Sequence, residues 1–527
     1  MMKKAIKKLM AALLVVAMVC AMAIPAFADD TKENIQDHNS FSGFQIFKGD
    51  VEGNKISNAN WGESITDHNK FLTDLKADST IGGKFSNANN VQDILAVIST
   101  WHDSDDDSIA FARFVCKYLY PNANANPKPF AEGNHSLTFS QAGYYLIVDT
   151  TYFNPGDDYH AYNSFMLKVT KANWVFDVTP KVEKPSVKKE VFDNQDGTSN
   201  EAGFGSSADH AINEKFQFKL TATLPASTAR AYDYYDKYTV LFNDTLSKGI
   251  TYDRIDKVVI ESNGNTYDIT NDSLKYSVDT SFLESHNYFT VGISNVKTCA
   301  EDLDLNKGAT ITVTYTAHLN DKAFVNTTSG SSTENKNSVQ LQYSNNPRDT
   351  ESFWGHTPKS EVCVYTYQLN NTKYKNEAKE GNELEGAGFR LYSDETCEHE
   401  VELYKEGEFY YPIKNATGKT PVEMKSAANG QFNVKGLDAG TYYLKETTTP
   451  TNYNTCANTT IVISATHTNN NVTLSNDSNL QNSIINNGGT TLPSTGGIGT
   501  TLFYVIGGGL MVAAAVLLIT KKRMENK

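Results

Sequence analysis

Short stretches in which apolar and polar residues alternate recur through the interior of this chain, and they constrain its fold more than any other feature. Residues 238–246, 310–315 and 339–343 are examples, and turn-forming Gly, Asn and Asp separate such stretches. The chain also holds 28 Tyr and 26 Phe, which favour strands. Many short alternating strands between turns are typical of β-sandwiches. The sequence therefore predicts an all-β protein.

Three β-rich units are expected within the 527 residues. We assign residues 29–184 to the first unit, 185–358 to the second and 359–491 to the third. The boundary after the first unit follows from a polar stretch that holds Pro180 and Pro185. Minor helical insertions are expected in the first unit, because apolar residues recur there with helical spacing near positions 91–98 and 111–119.

The first 28 residues have the pattern of a secretory signal peptide. Four lysines lie within the first eight residues, an apolar run covers residues 9–24, and Ala26 and Ala28 form a small-x-small cleavage site. We therefore expect cleavage after Ala28 and a secreted mature chain.

Residues 492–527 combine a short motif, an apolar span and a basic tail. The motif consists of Leu492, Pro493, Ser494, Thr495 and Gly496. The apolar stretch from about residue 498 to 520 is long enough to cross a bilayer, and the following Lys-Lys-Arg favours a cytoplasmic end. The three parts in this order resemble a Gram-positive cell-wall sorting signal. The resemblance implies that a sortase cleaves between Thr495 and Gly496 and carries the chain as a thioester until an amine attacks.

The charge of the remaining body excludes some functions. Residues 1–28 and 496–527 hold eight basic residues and one acidic residue, so 39 basic and 60 acidic residues remain, a net charge of −21. Such a body repels phosphate backbones, so no nucleic-acid binding is expected.

The five cysteines of the mature chain are scattered and odd in number, which predicts neither a disulfide framework nor a zinc site. Neither a metal nor a cofactor is predicted. Residues 193–197 (DNQDG) are predicted to form a hairpin turn.

Three polar residues of the second unit occupy positions that alternate with apolar neighbours on their strands. Lys189 shares a face with two valines, Asp244 with Val240 and Phe242, and Asn337 with a valine and a leucine. If these strands adjoin, an amine, a carboxyl and an amide meet in an apolar interior. Desolvation there favours the neutral amine and the protonated carboxyl. A neutral lysine can attack the asparagine carbonyl and release ammonia, which forms an isopeptide bond.

These segments resemble isopeptide-forming fimbrial proteins, the backbone pilins of Gram-positive bacteria that pilus-specific (class C) sortases assemble. Residues 185–191 (PSVKKEV), 242–249 (FNDTLSKG) and 337–347 (NSVQLQYSNNP) are similar to the lysine, acid and asparagine segments of the family's middle domain. The resemblance implies tandem immunoglobulin-like and collagen-adhesin-type sandwiches. It assigns Lys189 and Asn337 to the bond and Asp244 to its promotion, with Lys188 as the competing lysine.

The third unit resembles the family's collagen-adhesin B-type domain. Residues 442–453 (YYLKETTTPTNY) match the pattern Y-x-L-x-E-T-x-x-P-x-x-Y, which is called the pilin E-box. The resemblance implies that Glu446 promotes a bond between Lys373 and Asn486, with Asn487 as the alternative acceptor. One departure is Asn371, which stands where the family usually has an apolar residue.

Two further site predictions concern the first unit. Alternation suggests a third trio of Lys48, Asp149 and Asn163. Residues 174–181 (WVFDVTPK) resemble the pilin motif, although they are shorter than its usual form and lack its tyrosine. The resemblance implies that Lys181 attacks the sortase-bound Thr495 of another subunit, with Lys184 as the alternative.

The sequence thus predicts a non-enzymatic shaft subunit of a covalent pilus, joined from Lys181 of one copy to Thr495 of the next. Its predicted partners are further copies of itself, a pilus-specific sortase, and a housekeeping sortase with peptidoglycan. Ancillary pilins and a host ligand are possible partners, since the family implies adhesion and biofilm formation. The alternatives are a monomeric wall-anchored adhesin and a tip or basal pilin. A wall-anchored enzyme is disfavoured, because no catalytic motif was found in the sequence.

Overall fold

The structure is a computed structural model, and it describes thirteen segments of the chain. These are residues 40–52, 55–102, 105–121, 125–134, 136–150, 164–177, 184–194, 203–228, 230–331, 335–347, 354–476, 478–489 and 498–525. Strands dominate them and short turns connect the strands, so the predicted all-β fold class is confirmed.

The first part of the chain is a sheet with helices on one face. Its elements are β1 (Ser40–Glu52), β2 (Lys55–Trp61), α1 (His68–Ala77), α2 (Val91–Ile98), α3 (Asp106–Leu119), β3 (Ala131–Asn134), β4 (Ser136–Phe139), β5 (Gly143–Asp149), β6 (Ser164–Val169) and β7 (Trp174–Asp177). The sheet runs β2-β1-β5-β6 with β3 also on β1, while β4 and β7 form a separate ribbon. Asp67 and Asn90 cap α1 and α2 by accepting backbone hydrogen bonds. The helices bury Phe71, Ile94 and Phe111 against the sheet.

The second part is a sandwich of two sheets. Its strands are β8 (Ser186–Asp193), β9 (Gly203–Gly205), β10 (Ser207–Asp209), β11 (Lys215–Leu224), β12 (Val240–Leu246), β13 (Ile250–Ser262), β14 (Asn265–Asp268), β15 (Ser277–Asp279), β16 (Tyr288–Ile293), β17 (Ala309–Leu319), β18 (Gly330–Ser331), β19 (Lys336–Ser344), β20 (Trp354–His356) and β21 (Ser360–Tyr365), with one helical turn, α4 (Leu283–His286). One sheet runs β14-β13-β17-β11-β8-β9. The other runs β10-β21-β19-β12-β16-β15, with β20 on β19. Alternate residues of β11 and β17 are buried, so period-two patterning fills the core between the sheets.

The third part is a smaller sandwich followed by a long helix. Its elements are β22 (Tyr367–Lys375), β23 (Gly388–Tyr392), β24 (Leu403–Glu406), β25 (Phe409–Pro412), β26 (Met424–Lys425), β27 (Val434–Leu437), β28 (Gly440–Thr448), β29 (Thr459–Ile463), β30 (Ala465–His467), β31 (Asn471–Leu474), β32 (Gln481–Asn486) and α5 (Ile498–Glu525). One sheet runs β24-β25-β27-β22-β32 and the other β26-β23-β28-β29. The strands β22 and β32 pair in parallel although they lie near the two ends of this unit.

Strand pairing crosses the division predicted between the second and third units. The strand β21 lies beyond residue 358, yet it pairs with β19 and β10 of the second sandwich. The short β18 of the second unit pairs with β31 of the third. The β18–β31 pairing therefore joins the two sandwiches by backbone hydrogen bonds. The chain also passes directly from β21 into β22, with one residue between the two strands.

Candidate functional site

The second sandwich brings Lys189, Asp244 and Asn337 together inside its core. Asp244 and Asn337 lie on the neighbouring strands β12 and β19, where Asp244 pairs with Val339 and Leu246 pairs with Asn337. Lys189 projects from β8, which belongs to the opposite sheet. The lysine thus meets the acid across the interior of the sandwich and not from an adjoining strand. All three side chains are buried.

A fourth residue, Tyr315 of β17, connects the three predicted ones. The Lys189 ammonium pairs with Asp244, and Lys189 Nζ also donates to the Tyr315 hydroxyl at 3.0 Å. That hydroxyl donates to Asp244 Oδ1 at 3.2 Å and accepts from Asn337 Nδ2 at 2.6 Å. Sequence reasoning missed Tyr315 because it alternates with buried apolar residues on its strand, which is also the pattern of an ordinary core aromatic.

Burial changes the ionisation of this group. It lowers the pKa of Lys189 to about 8, raises the pKa of Asp244 and raises the pKa of Tyr315 well above its usual value. The neighbouring charges and hydrogen bonds oppose the first two shifts without cancelling them. The competing lysine, Lys188, is exposed and pairs with Glu190. The site therefore holds a lysine whose neutral form is more populated than it would be in water, next to a carboxyl and an amide.

The third sandwich brings Lys373, Glu446 and Asn486 together in the same way. Lys373 and Asn486 lie on the parallel strands β22 and β32, while Glu446 comes from β28 of the facing sheet. Lys373 Nζ donates to Asn486 Oδ1 at 2.5 Å, and Asn486 Nδ2 donates to Glu446 Oε1 at 2.6 Å. All three residues are buried, and Asn487, the alternative acceptor, is exposed.

Cys456 borders this second group. Its backbone N–H donates to Glu446 Oε2 at 2.7 Å, so the carboxylate is held from both sides. Burial raises the pKa of the Cys456 thiol to about 11 and lowers the pKa of Lys373. The five cysteines of the mature chain all lie in described segments, and no disulfide joins them there.

Asn371, the departure from the family pattern, is fully buried beside the Lys373 group and has hydrogen-bond partners. Its side chain accepts from Asn482 Nδ2 at 3.1 Å and donates to the Phe432 carbonyl at 3.3 Å. Its backbone N–H donates to the Asn433 side chain at 2.9 Å. A polar residue is thus tolerated in this core position because neighbouring amides satisfy it.

The predicted meeting of Lys48 and Asp149 in the first unit is wrong. In the β1–β5 ladder Lys48 lies opposite Gly143 and Asp149 opposite Phe41, which separates the two by about 20 Å along the strands. A register shift between Gln45 and Phe47 also breaks the assumed alternation. Asn163, the third member of this trio, lies outside the described residues.

The residues predicted for processing and linkage also fall largely outside the described segments. These are the leader, Lys181 and the motif residues Leu492, Pro493, Ser494, Thr495 and Gly496. Lys184 is described and half-buried, and burial lowers its pKa. Within α5, residues Tyr504–Met524 are long and apolar enough to cross a membrane, and none of this stretch is buried in the protein.

Two protein-family models match the C-terminal part of the chain. Residues 370–478 match the model of the SpaA prealbumin-like fold domain, and residues 484–526 match that of the LPXTG cell wall anchor motif. This chain thus has regions that are similar to a SpaA-type domain and to a cell wall anchor. It is therefore a cell-wall-attached surface protein, and the apolar helix α5 fits transient retention in the membrane. None of the curated proteins is significantly similar to the chain.

Several solved pilin structures are similar to this chain at low sequence identity. The T6 backbone pilin of Streptococcus pyogenes is 16% identical, with a TM-score of 0.49 over 87% of this chain and 97% of that one. The C-terminal fragment of the major pilin GBS80 of Streptococcus agalactiae is 20% identical, with a TM-score of 0.40 over 58% and 100%. The major pilin SpaD of Corynebacterium diphtheriae is 17% identical, with a TM-score of 0.39 over 66% and 80%. The family-model matches of the C-terminal part confirm the resemblance predicted from the sequence.

The hydrogen bonds of Asn371 predict how the SpaA-type domain responds to an apolar residue at this position. Asn371→Val leaves the buried Asn482 amide without one of its acceptors and should cost about 1–3 kcal/mol of unfolding free energy. Calorimetry of the full chain should then show unfolding of this domain at a temperature several degrees lower. Gln481→Val, an exposed position on the neighbouring strand β32, is the matched control and should change little. Equal transition temperatures for the wild type and Asn371→Val would contradict this reading.

Proposed function

We propose that the chain is the shaft subunit of a covalent, sortase-assembled pilus and that it forms two intramolecular Lys–Asn isopeptide bonds. The observation that carries this proposal is the pair of buried Lys–acid–Asn groups, one in each of two consecutive sandwiches. The cell wall anchor at the C-terminus supports surface attachment through the same sortase chemistry. The chain is then a structural protein and sortase substrate, whose only chemistry of its own is a single self-modification.

In the third sandwich the reactants lie within one hydrogen-bond network. Neutral Lys373 Nζ attacks the side-chain carbonyl carbon of Asn486, whose oxygen is 2.5 Å from that nitrogen. Glu446 Oε1 accepts from the leaving amide nitrogen at 2.6 Å, so the carboxylate can take the proton that the attacking amine gives up and pass it to that nitrogen. The C–N bond to lysine forms, the C–N bond to the departing nitrogen breaks, and ammonia leaves. No oxidant or cofactor is required.

In the second sandwich Asp244 takes the place of the glutamate. The Lys189–Asp244 pair is equivalent to a neutral amine beside a carboxylic acid once one proton moves between them, and burial favours that neutral form. Tyr315 holds the Asn337 amide at 2.6 Å and positions it toward this pair. Asn337 Oδ1 is buried and accepts no hydrogen bond from the described residues, so the acid has an open carbonyl oxygen to polarise.

The proposed bonds would tie distant strands of each sandwich. Lys189 and Asn337 would join β8 to β19, and Lys373 and Asn486 would join β22 to β32. Each bond closes a loop of more than 100 residues, which in the chain-entropy model stabilises by about 4–5 kcal/mol. Tension applied along the chain would then pass through a covalent path in both units.

Polymerisation would use the C-terminal motif of one copy and a lysine of the next. We propose that a pilus-specific sortase joins Thr495 to Lys181, with Lys184 as the alternative nucleophile, and that a housekeeping sortase attaches the base of the polymer to peptidoglycan. Lys184 is half-buried, which restricts its access to a sortase-bound thioester. Ancillary pilins and a host ligand would bind to this shaft, and a role in adhesion and biofilm formation would follow from them.

Each isopeptide bond should lower the mass of the chain by about 17 Da, the mass of ammonia. The full-length chain should therefore show a deficit of about 34 Da, while Asp244→Ala and Glu446→Ala should each restore one ammonia. Intact-mass spectrometry measures both, and branched tryptic peptides locate the bonds. Asp253→Ala, which removes a half-buried carboxylate paired with His318, is the matched control and should keep the full deficit. A wild-type chain of full mass would refute both bonds.

The Lys189–Asn337 bond should form at a rate that falls above about pH 8. The pair needs one proton to supply both a neutral amine and a carboxylic acid, and it loses that proton as pH rises through the lowered pKa of Lys189. Chain held unfolded in urea before the bond forms would be diluted into buffers from pH 6 to 10, and the branched peptide measured against time. An amine acting without the acid would instead react faster up to its pKa and then stay at that rate.

Lys181→Ala should abolish the covalent polymer. Cell-wall extracts would be boiled in SDS with reductant and immunoblotted, so that neither folding nor disulfides hold subunits together. The wild type and the control Lys184→Ala should give a high-mass ladder that collapses in Lys181→Ala. A ladder lost only in Lys184→Ala would move the nucleophile to that residue. A single wild-type band would contradict the shaft role and favour the wall-anchored adhesin.

A further inference from the structure

A third buried polar cluster lies where three sheets meet, away from both lysines. Asp193 ends β8, Asp209 ends β10 and His467 ends β30, so the cluster joins the second and third units. All three residues are buried. Neither proposed isopeptide bond uses them.

The three side chains direct one atom each toward a common point. His467 Nε2 lies 3.2 Å from Asp193 Oδ2 and 3.8 Å from Asp209 Oδ1. All three atoms lie within 4.8 Å of one another. Tetrahedral zinc with bonds of about 2.0–2.2 Å keeps its ligand atoms about 3.3–3.6 Å apart. The two distances from His467 Nε2 lie near that range.

The outer atoms of two of these side chains have hydrogen-bond partners, as they do around protein-bound metals. His467 Nδ1 hydrogen-bonds Ser207 Oγ at 2.8 Å, which leaves Nε2 to face the cluster. Asp209 Oδ2 accepts from the Tyr367 hydroxyl at 2.8 Å. The other oxygen, Asp209 Oδ1, is fully buried and accepts no hydrogen bond within the described part of the chain. Outer partners of this kind fix the tautomer and the orientation of metal ligands.

The charge of the cluster also favours a cation. Two buried carboxylates face one imidazole, so even with a protonated histidine these three side chains sum to one negative charge, and a buried charge is costly. A divalent ion with a neutral imidazole gives zero net charge.

We propose that Asp193, Asp209 and His467 bind one zinc ion that clamps the second unit to the third. The imidazole ligand favours zinc over calcium, which takes six to eight oxygen ligands. The fourth zinc position is left for water. This inference does not depend on the proposed pilus function.

A neighbouring group of similar composition lacks these features. Asp438 accepts hydrogen bonds from the Ala439 N–H and from Asn194, and Glu214 accepts from the Ala211 N–H. These two carboxylates and His210 form the other cluster of possible ligands in the described segments. Because its carboxylates already have partners from their own surroundings, we assign no metal there.

Zinc titration of the untagged full-length chain in mild detergent tests the proposal. After removal of metals with a chelator and dialysis, isothermal titration calorimetry should show one zinc ion per chain. His467→Gln and Asp209→Asn should each weaken binding at least about 100-fold, the upper range for loss of an outer partner alone. Zinc should raise the unfolding temperature of the wild type and leave that of both variants unchanged.

His318→Gln is the matched control. His318 also pairs with a carboxylate, that of Asp253, but it belongs to neither cluster of possible metal ligands in the described segments. It should bind zinc as the wild type does. Cooperative unfolding of each variant in chelator shows that it is folded, so weak binding then reports on the ligands. Equal zinc binding by the wild type and both variants would overturn the proposal. Tighter binding of calcium than of zinc would overturn it as well.

Discussion

Two lysines lie inside sandwich cores, and an ammonium group in such a place requires a specific partner. Desolvation disfavours the charged amine, so Lys189 and Lys373 have lowered pKa values. In each core a carboxyl and an amide side chain lie next to the lysine. The surrounding strands are arranged to hold these groups. Lys189 reaches across the sandwich to Asp244, while Lys373 lies beside Asn486 on parallel strands and faces Glu446 from the opposite sheet.

The two groups differ in how they hold the asparagine. In the third sandwich the acid contacts the amide nitrogen directly. In the second sandwich the Tyr315 hydroxyl lies between acid and amide and contacts both. Both groups thus contain a lysine, an acid and an asparagine, but only the group of the second sandwich has a phenol between the acid and the amide. Tyr315, which provides this phenol, lies in the same sheet as Lys189.

Period-two alternation was sufficient to place Lys189, Asp244 and Asn337 on interior faces, because a strand presents alternate residues to the same side. It failed for Lys48 and Asp149, since a register shift in β1 changes which residues share a face. Tyr315 could not be separated from core aromatics by pattern alone. The His467 cluster was also missed, because its members are distant in sequence and come from three different sheets. Such convergence depends on how the sandwiches pack, which local pattern does not encode.

The sequence separation across the His467 cluster has a consequence for folding during export. Ser207 and His467, which share a hydrogen bond, are 260 residues apart, whereas Lys189 and Tyr315 are 126 apart. A chain that emerges from its N-terminus can complete the second sandwich before His467 appears. Until then Asp193 and Asp209 would border water, which stabilises their charges. The junction between the units would therefore close last, after the core of the second unit has formed.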